Sequence, residues 1–335
     1  MFPPRLLGFL TAFALATLLS GCATGRLAAL ASVPLVNNGA KVMNRETDLA
    51  LARAAAPAQL ELIRSPIAQL PDNSDLRLRA AQGFYGYAYS FVENKNPARA
   101  SALYRRAFND ARIALAQDGL RGDLTMMSEA NLTRALRHLH RHAVPALFWT
   151  AMCWAKWINM NRDSPALLAE MGNAVALMRR AESLDGNYYY GGAHLFFGAY
   201  YSSLPPFAGG NLSKAAQEFV KARAATSGKL LLVDVLEAQY LERQTLNRKT
   251  FHAPLIHVLK APSDLFPQMA LANAVAKEKA KRLLAHEEDW FRSDCNVLGC
   301  CFCVFSFLVL SPSRLWRTSG TYLSSRPSRP MVPAG

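Results

Sequence analysis

The sequence predicts an all-α chain whose helical hairpins stack into a single superhelical domain. Three observations carry this reading. From Asp48 to Phe291 the chain is rich in Ala, Leu, Arg and Glu, its apolar residues recur at three-to-four-residue spacing, and strand-like alternation of β-branched residues is scarce. With 51% hydrophobic and 10% aromatic residues among 335, the chain can bury a core and is not a disordered polymer. Mean hydropathy is only +0.03. Beyond the first twenty residues no run reaches the ~18–20 apolar residues that a spanning helix needs, so a polytopic membrane protein is excluded.

The N-terminus has the layout of an export signal. Arg5 supplies a positive charge, Leu6 to Leu19 is uninterrupted by charge, and Leu19-Ser20-Gly21-Cys22 closes the run. These four residues resemble the bacterial lipobox. The resemblance implies that residues 1–21 are removed and that Cys22 becomes an acylated N-terminus. Acyl chains gain about 0.8 kcal/mol per buried methylene, so several of them anchor a protein durably. Ala23 stands where the retention signal of such lipoproteins has Asp, which implies the periplasmic face of the outer membrane of a Gram-negative bacterium. Residues 22–47 are small, apolar and weakly patterned, and are expected to form a tether.

The helical body is expected over residues 48–291. Phe84, Tyr87, Ala88 and Phe91 line one helix face, and Ala100, Tyr104 and Ala107 line the next, with Asn94-Lys95-Asn96-Pro97 as the turn. Pro97 suits the first turn of a new helix, where its missing N–H would have no intrahelical partner. A second unit pairs Ala151, Trp154, Ala155 and Ile158 with Ala174, Met178 and Ala181. A third pairs His194, Phe197, Gly198 and Tyr201 with Ala215, Phe219 and Ala222 across a turn swollen by Leu204 to Asn211. Leu232 to Arg243 and Lys249 to Leu259 form a fourth, and Pro267 to His286 a last helix. Small residues let the paired helices approach while aromatics fill the groove, which is the tetratricopeptide (TPR) pattern. Each pair leaves an apolar face that only its neighbour can cover, so the units must stack.

Several segments go further. Tyr188-Tyr189-Tyr190-Gly191-Gly192-Ala193-His194, Gly198-Ala199-Tyr200-Tyr201, Leu204-Pro205 and Gly209-Gly210-Asn211-Leu212-Ser213-Lys214-Ala215 resemble the TPR-type T component of tripartite ATP-independent periplasmic (TRAP) transporters. Gly86 to Glu93, Leu271 to Ala276 and Ala280 to Leu284 add to the resemblance, which runs from about Ala50 to Phe291. It implies a periplasmic, lipid-anchored helical homotrimer with a pore or tunnel. Its implied partner is a DctP-type TRAP solute-binding protein, and its implied ligand an apolar or carboxylate-bearing small molecule. Tyr188, Tyr190, Tyr200, Tyr201 and Phe207, beside the Pro- and Gly-rich turn, are candidates for lining a ligand groove; packing of the helix pair explains the tyrosines equally well. The competing function is a TPR lipoprotein scaffold for envelope or outer-membrane assembly.

Other constellations point elsewhere only weakly. His138, His140 and His142 alternate, but on a helix only His138 and His142 share a face, and the flanking arginines repel a cation. Cys153, between Trp149 and Trp154, reads as a small buried apolar residue. No nucleophile motif, phosphate loop or carboxylate pair stands out, so neither an enzyme, a cofactor nor a metal is expected. The net charge of +14 invites a nucleic-acid role, yet four arginines beyond Asp294 contribute to it and no recognition motif accompanies it. Residues 292–335 lack the repeat pattern. Their Cys295, Cys300, Cys301 and Cys303 are compatible with zinc or disulfides, but no second ligand pair lies at useful spacing, and the segment reads as a frame-shifted or read-through tail. Replacing the acylated thiol, Cys22→Ser, is expected to move the protein from the membrane fraction to the soluble fraction on cell fractionation.

Overall fold

The computed structural model describes the backbone of residues 4–291 and side chains from Thr24 onward. Fifteen α-helices follow one another: α1 (Pro4–Asn44), α2 (Leu49–Gln69), α3 (Ser74–Tyr87), α4 (Pro97–Gln117), α5 (Glu129–Leu136), α6 (Val144–Asn159), α7 (Pro165–Ala169), α8 (Met171–Leu184), α9 (Tyr188–Ser203), α10 (Leu212–Ala224), α11 (Leu232–Glu237), α12 (Arg243–Thr245), α13 (Arg248–Lys260), α14 (Ala270–Ala285) and α15 (Glu287–Trp290). No strand occurs among the described residues. None of the described helices is long and apolar enough to cross a membrane.

Side-chain caps set many of the helix starts. Asp48, Asn73, Asn96, Ser128, Ser164, Asn211 and Asn247 each accept from a backbone N–H two or three residues ahead, at the starts of α2, α3, α4, α5, α7, α10 and α13. These are donors that the first turn of a helix cannot satisfy internally. Pro97 and Pro165 occupy the following position, where the absent N–H does no harm.

Helices pack mainly on their sequence neighbours: α3 on α4, α4 on α6, α6 on α8, α9 on α10 and α13 on α14. Ala80, Ala81, Ala88, Ala100, Ala107 and Ala111 are fully buried at the first seams, with Tyr104, Phe148, Trp154, Phe219 and Phe251 filling the space between helices. Each such large side chain contributes about 1.5–3 kcal/mol through burial. Trp154 stacks on Phe108 at 4.9 Å and donates its indole N–H to Glu170 at 2.8 Å, so its polar edge is satisfied inside the core. The array also folds back on itself. Helix α14 packs on α1 and α2, and Arg282 donates to the Asn94 amide oxygen at 2.6 and 3.1 Å once that amide is oriented to suit its neighbours.

Four features depart from the sequence reading. Residues 24–44, expected as a tether, are the second half of α1. Val33, Val36 and Met43 pack on the core, Ala29 is buried, and Arg79 donates to Asn37 at 2.6 Å. Ala and Leu favour a helix there, and α2 and α3 cover one side of it while Leu27, Leu35 and Val42 stay exposed. The helices of the first and fourth units are interrupted by π turns, Ala88–Val92 and Ala238–Glu242. The histidine run leaves the helix after Leu136: His138 and His140 lie exposed in the connection, and His142 exposed in the short 3-10 turn Arg141–Ala143. Finally, α9 begins with three consecutive left-handed residues, Tyr189 (φ 48°), Tyr190 (φ 62°) and Gly191 (φ 74°).

Those left-handed residues bring α9 close to its neighbours. A Cβ on Gly191 would lie 2.7 Å from the Ala225 Cβ, and one on Gly192 would lie 2.6 Å from the Phe148 ring. Gly191→Ala is therefore expected to destabilise the fold by about 1–3 kcal/mol in chemical denaturation, from both the positive φ and the clash. Gly86→Ala, in α3 with nothing within 4 Å of the added methyl, is expected to be neutral or to stabilise by up to about 1 kcal/mol.

Candidate functional site

The three backbone irregularities each carry tyrosines. The first π turn holds Tyr89, the second holds Tyr240, and the left-handed start of α9 holds Tyr189 and Tyr190. An inserted residue in a helix re-aims the side chains around it, and such π turns recur at functional sites. A left-handed tyrosine costs roughly 1–2 kcal/mol, so two in succession are held by their surroundings.

Ring contacts join most of these residues into one wall. Tyr89 stacks with Tyr85 at 6.1 Å, Tyr85 meets Trp149 edge-on at 5.6 Å, and Trp149 meets Tyr189 at 4.8 Å. Tyr189 continues to Tyr190 at 5.7 Å and Tyr190 to Phe266 at 5.2 Å. Burial pushes the phenols of Tyr85, Tyr89 and Tyr189 well above their ordinary value, so they are neutral hydrogen-bond donors. Tyr240 lies near enough to Tyr89 to add to that upward push.

Charge enters the wall at one end. Glu93, just past the first π turn, accepts from the Tyr104 hydroxyl at 2.5 Å and pairs with Lys156 Nζ at 2.8 Å. Burial pushes the Glu93 carboxyl up, but Lys156, Lys279 and the two hydrogen bonds outweigh it and hold the group below its ordinary value. Lys279 on α14 is different. It is 6% exposed, its Nζ lies 3.8 Å from the centre of the Tyr89 ring, and among the described residues it has no hydrogen bond or ion pair. Burial is the main cause that lowers its pKa to about 7; Glu93 opposes the shift, and Lys156 and Arg282 add to it.

Two further donors of the wall are poorly matched. The buried Tyr89 hydroxyl has no hydrogen-bond partner, and Trp149 Nε1 has none of normal geometry, the Tyr188 hydroxyl being near enough to act on it. Leaving such a group unsatisfied costs about 1–3 kcal/mol. The wall thus combines aromatic faces with the Lys279 amine and the Tyr89 hydroxyl as donors, and with the nearby acceptor Glu93 already engaged. A separate cavity of about 470 Å³ opens between α2, α3 and α4, where Arg106 sits 4.3 Å over the Phe84 ring and Arg77 pairs with Asp110 at 2.6 Å.

Of the residues singled out in the sequence, the structure places Tyr188 and Tyr190 at the wall, Tyr188 meeting Phe148 at 5.3 Å. Tyr200 and Tyr201 lie at the other end of α9 in a second cluster with Phe196 and Phe197. Phe207 is 88% exposed on the turn after α9 and joins neither cluster. The side chain of Cys22 and residues 292–335, including their cysteines, lie outside the described residues. Cys153 is fully buried and its thiol is pushed up by burial, as suits a packing residue. Tyr189 stands in the same Tyr188 to Tyr190 run, whereas Tyr89, Trp149, Tyr240 and Lys279 were not anticipated as site residues. Only Lys279 left a readable signal, as a lysine on the same helical face as Val275, Ala276 and Leu283.

The profile of the TRAP transporter T-component family matches residues 45–291. The chain belongs to the TRAP transporter T-component family. An uncharacterised protein of Treponema pallidum (strain Nichols) is 25% identical over 310 residues, covering 84% of this chain and 96% of that protein. Family membership makes the chain an accessory component associated with a TRAP transporter, at a membrane-associated or periplasmic location. The matched span begins at the end of α1 and closes at Phe291, so it contains every residue of the aromatic wall.

The unpaired amine of this T component gives a test. Because the folded-state pKa of Lys279 is about 7, against about 10.4 when unfolded, the unfolded chain binds more protons between those values. Stability therefore rises with pH across that window. Lys279→Met should remove this rise, visible as the difference in Tm between the two proteins from pH 6 to 10. The variant should also be more stable at pH 6, by roughly 1–4 kcal/mol.

Proposed function

We propose that this protein is a non-catalytic, lipid-anchored component on the periplasmic face of the outer membrane. It docks a DctP-type solute-binding protein and receives, or passes on, a small apolar carboxylate. In this reading the helical pairs form a TPR-like scaffold, Cys22 carries the lipid, and three copies assemble around their interior ligand paths. The observation that supports the ligand part is the buried Lys279 amine, without a hydrogen bond or ion pair of its own, on an aromatic wall beside the unpartnered Tyr89 hydroxyl. Glu93, already engaged by Lys156 and Tyr104, offsets only part of the cost of burying this amine, and a second carboxylate arriving there would offset more of it. The transport part rests on membership of the T-component family.

The partner is the point to test. A mild-detergent pull-down with the tagged full chain is expected to recover a DctP-type binding protein. Recovery of outer-membrane assembly factors in its place would replace transport with the scaffold reading.

A further inference from the structure

Outside the aromatic wall, the structure brings together three potential metal ligands that lie far apart in sequence. Glu182 on α8, His194 on α9 and Glu218 on α10 place one donor atom each within 4.8 Å of one another. His194 Nδ1 is 2.7 Å from Glu218 Oε2 and 3.1 Å from Glu182 Oε1. Neighbouring ligands around an ion with bonds of about 2.0–2.1 Å lie roughly 3.0–3.4 Å apart, so the Glu182 separation matches the edge of a coordination polyhedron, while the shorter Glu218 contact is that of a hydrogen bond and would open by a few tenths of an ångström around an ion.

The surroundings suit an ion as well. Lys221 Nζ holds Glu218 Oε1 at 2.8 Å, which turns the other carboxylate oxygen toward the imidazole. Partners behind a ligand that fix its orientation in this way are a regular part of metal sites. The Nε2 side of the ring is backed by Gly186, where a Cβ would lie 3.3 Å away, so Nδ1 is the nitrogen turned to the carboxylates. His194 and Glu218 side chains are 14% and 13% exposed and Glu182 is 28% exposed, leaving one side open for entry and for water. Two carboxylates with one imidazole form a nitrogen and oxygen set that suits zinc.

We propose that Glu182, His194 and Glu218 form a zinc site that clamps α8, α9 and α10 together. His194 lies three residues beyond the left-handed run Tyr189–Gly191, so an ion here would brace the strained entry to α9. The proposal does not rest on the transport reading, since none of the three residues touches the aromatic wall through a ring contact or hydrogen bond.

The test is titration of the full chain, stripped with EDTA and held in detergent, with Zn²⁺ alone by calorimetry, alongside His194→Ala, Glu182→Gln and Glu218→Gln. The wild type should take one zinc per chain through these residues. The His194 variant should lose it, and each Gln variant should bind at least about 10-fold more weakly. Saturating zinc should raise the wild-type Tm by about 5 °C and leave the His194 variant unmoved. Co²⁺ serves as the second probe: binding at this site gives no thiolate charge-transfer band, whereas binding by the C-terminal cysteines does. The proposal is overturned if the wild type takes no zinc, if the variants bind it as the wild type does, or if the cobalt spectrum is that of thiolates alone. The Gln variants keep the shape of the cluster, so a folding failure of His194→Ala would not shelter the idea.

Discussion

Glu93 is the residue on which the interior depends. It sits one step past the first π turn, accepts from Tyr104 of α4, pairs with Lys156 of α6 and faces Lys279 of α14. Three cations, Lys156, Lys279 and Arg282, approach this point with a single carboxylate among them. Removing one partner of a buried pair leaves an uncompensated charge, which weighs more than the pair itself contributes. The carboxylate therefore makes it tolerable for α14, from the far end of the body, to pack against the first helical unit.

The same region holds most of the irregular backbone, and the two facts have one explanation. A regular α-helix over Ala88–Val92 would aim Tyr89 and Glu93 differently, and a regular start to α9 would turn Tyr189 and Tyr190 away from Trp149. The strain is affordable because the neighbours determine it: Gly191 and Gly192 leave room for Ala225 and Phe148 to close in from two sides. The wall is thus a place where local preference yields to tertiary contact, and it retains unpaired donors. Strain, a lowered lysine pKa and an unsatisfied donor are gathered in one place, which is the observation behind the proposed ligand role.

Membership of the T-component family agrees with this picture at its own level of detail. It assigns an accessory role beside a TRAP transporter, while the chemistry of the wall bears on what such a component could hold. The second half of α1 carries Leu27, Leu30, Leu35 and Val42 exposed on the side away from the core. The Glu182, His194 and Glu218 cluster shares no ring contact or hydrogen bond with this wall.

Much of the fold was legible in the residues. The turn before α4 followed from Asn94 to Pro97, and the pairing of helices from alanines and aromatics at three-to-four-residue spacing, because these depend on contacts within a few residues. The resemblance of the Tyr188 to Lys214 segments identified the family for the same reason. The site was less legible. Tyr188 and Tyr190 stood out, but Tyr200, Tyr201 and Phe207, equally prominent in the sequence, lie elsewhere. Whether a helix carries an extra residue per turn, or begins left-handed, is decided by what packs on it, and periodicity cannot register it. Lys279 and Glu93 are 186 positions apart, and His194 meets its two carboxylates from separate helices. The sequence by itself therefore determined the helices and their kinship. Only the tertiary structure decided which charges and rings share one interior, because electrostatic and packing energies depend on distance in space, and the chain order of these residues does not encode it.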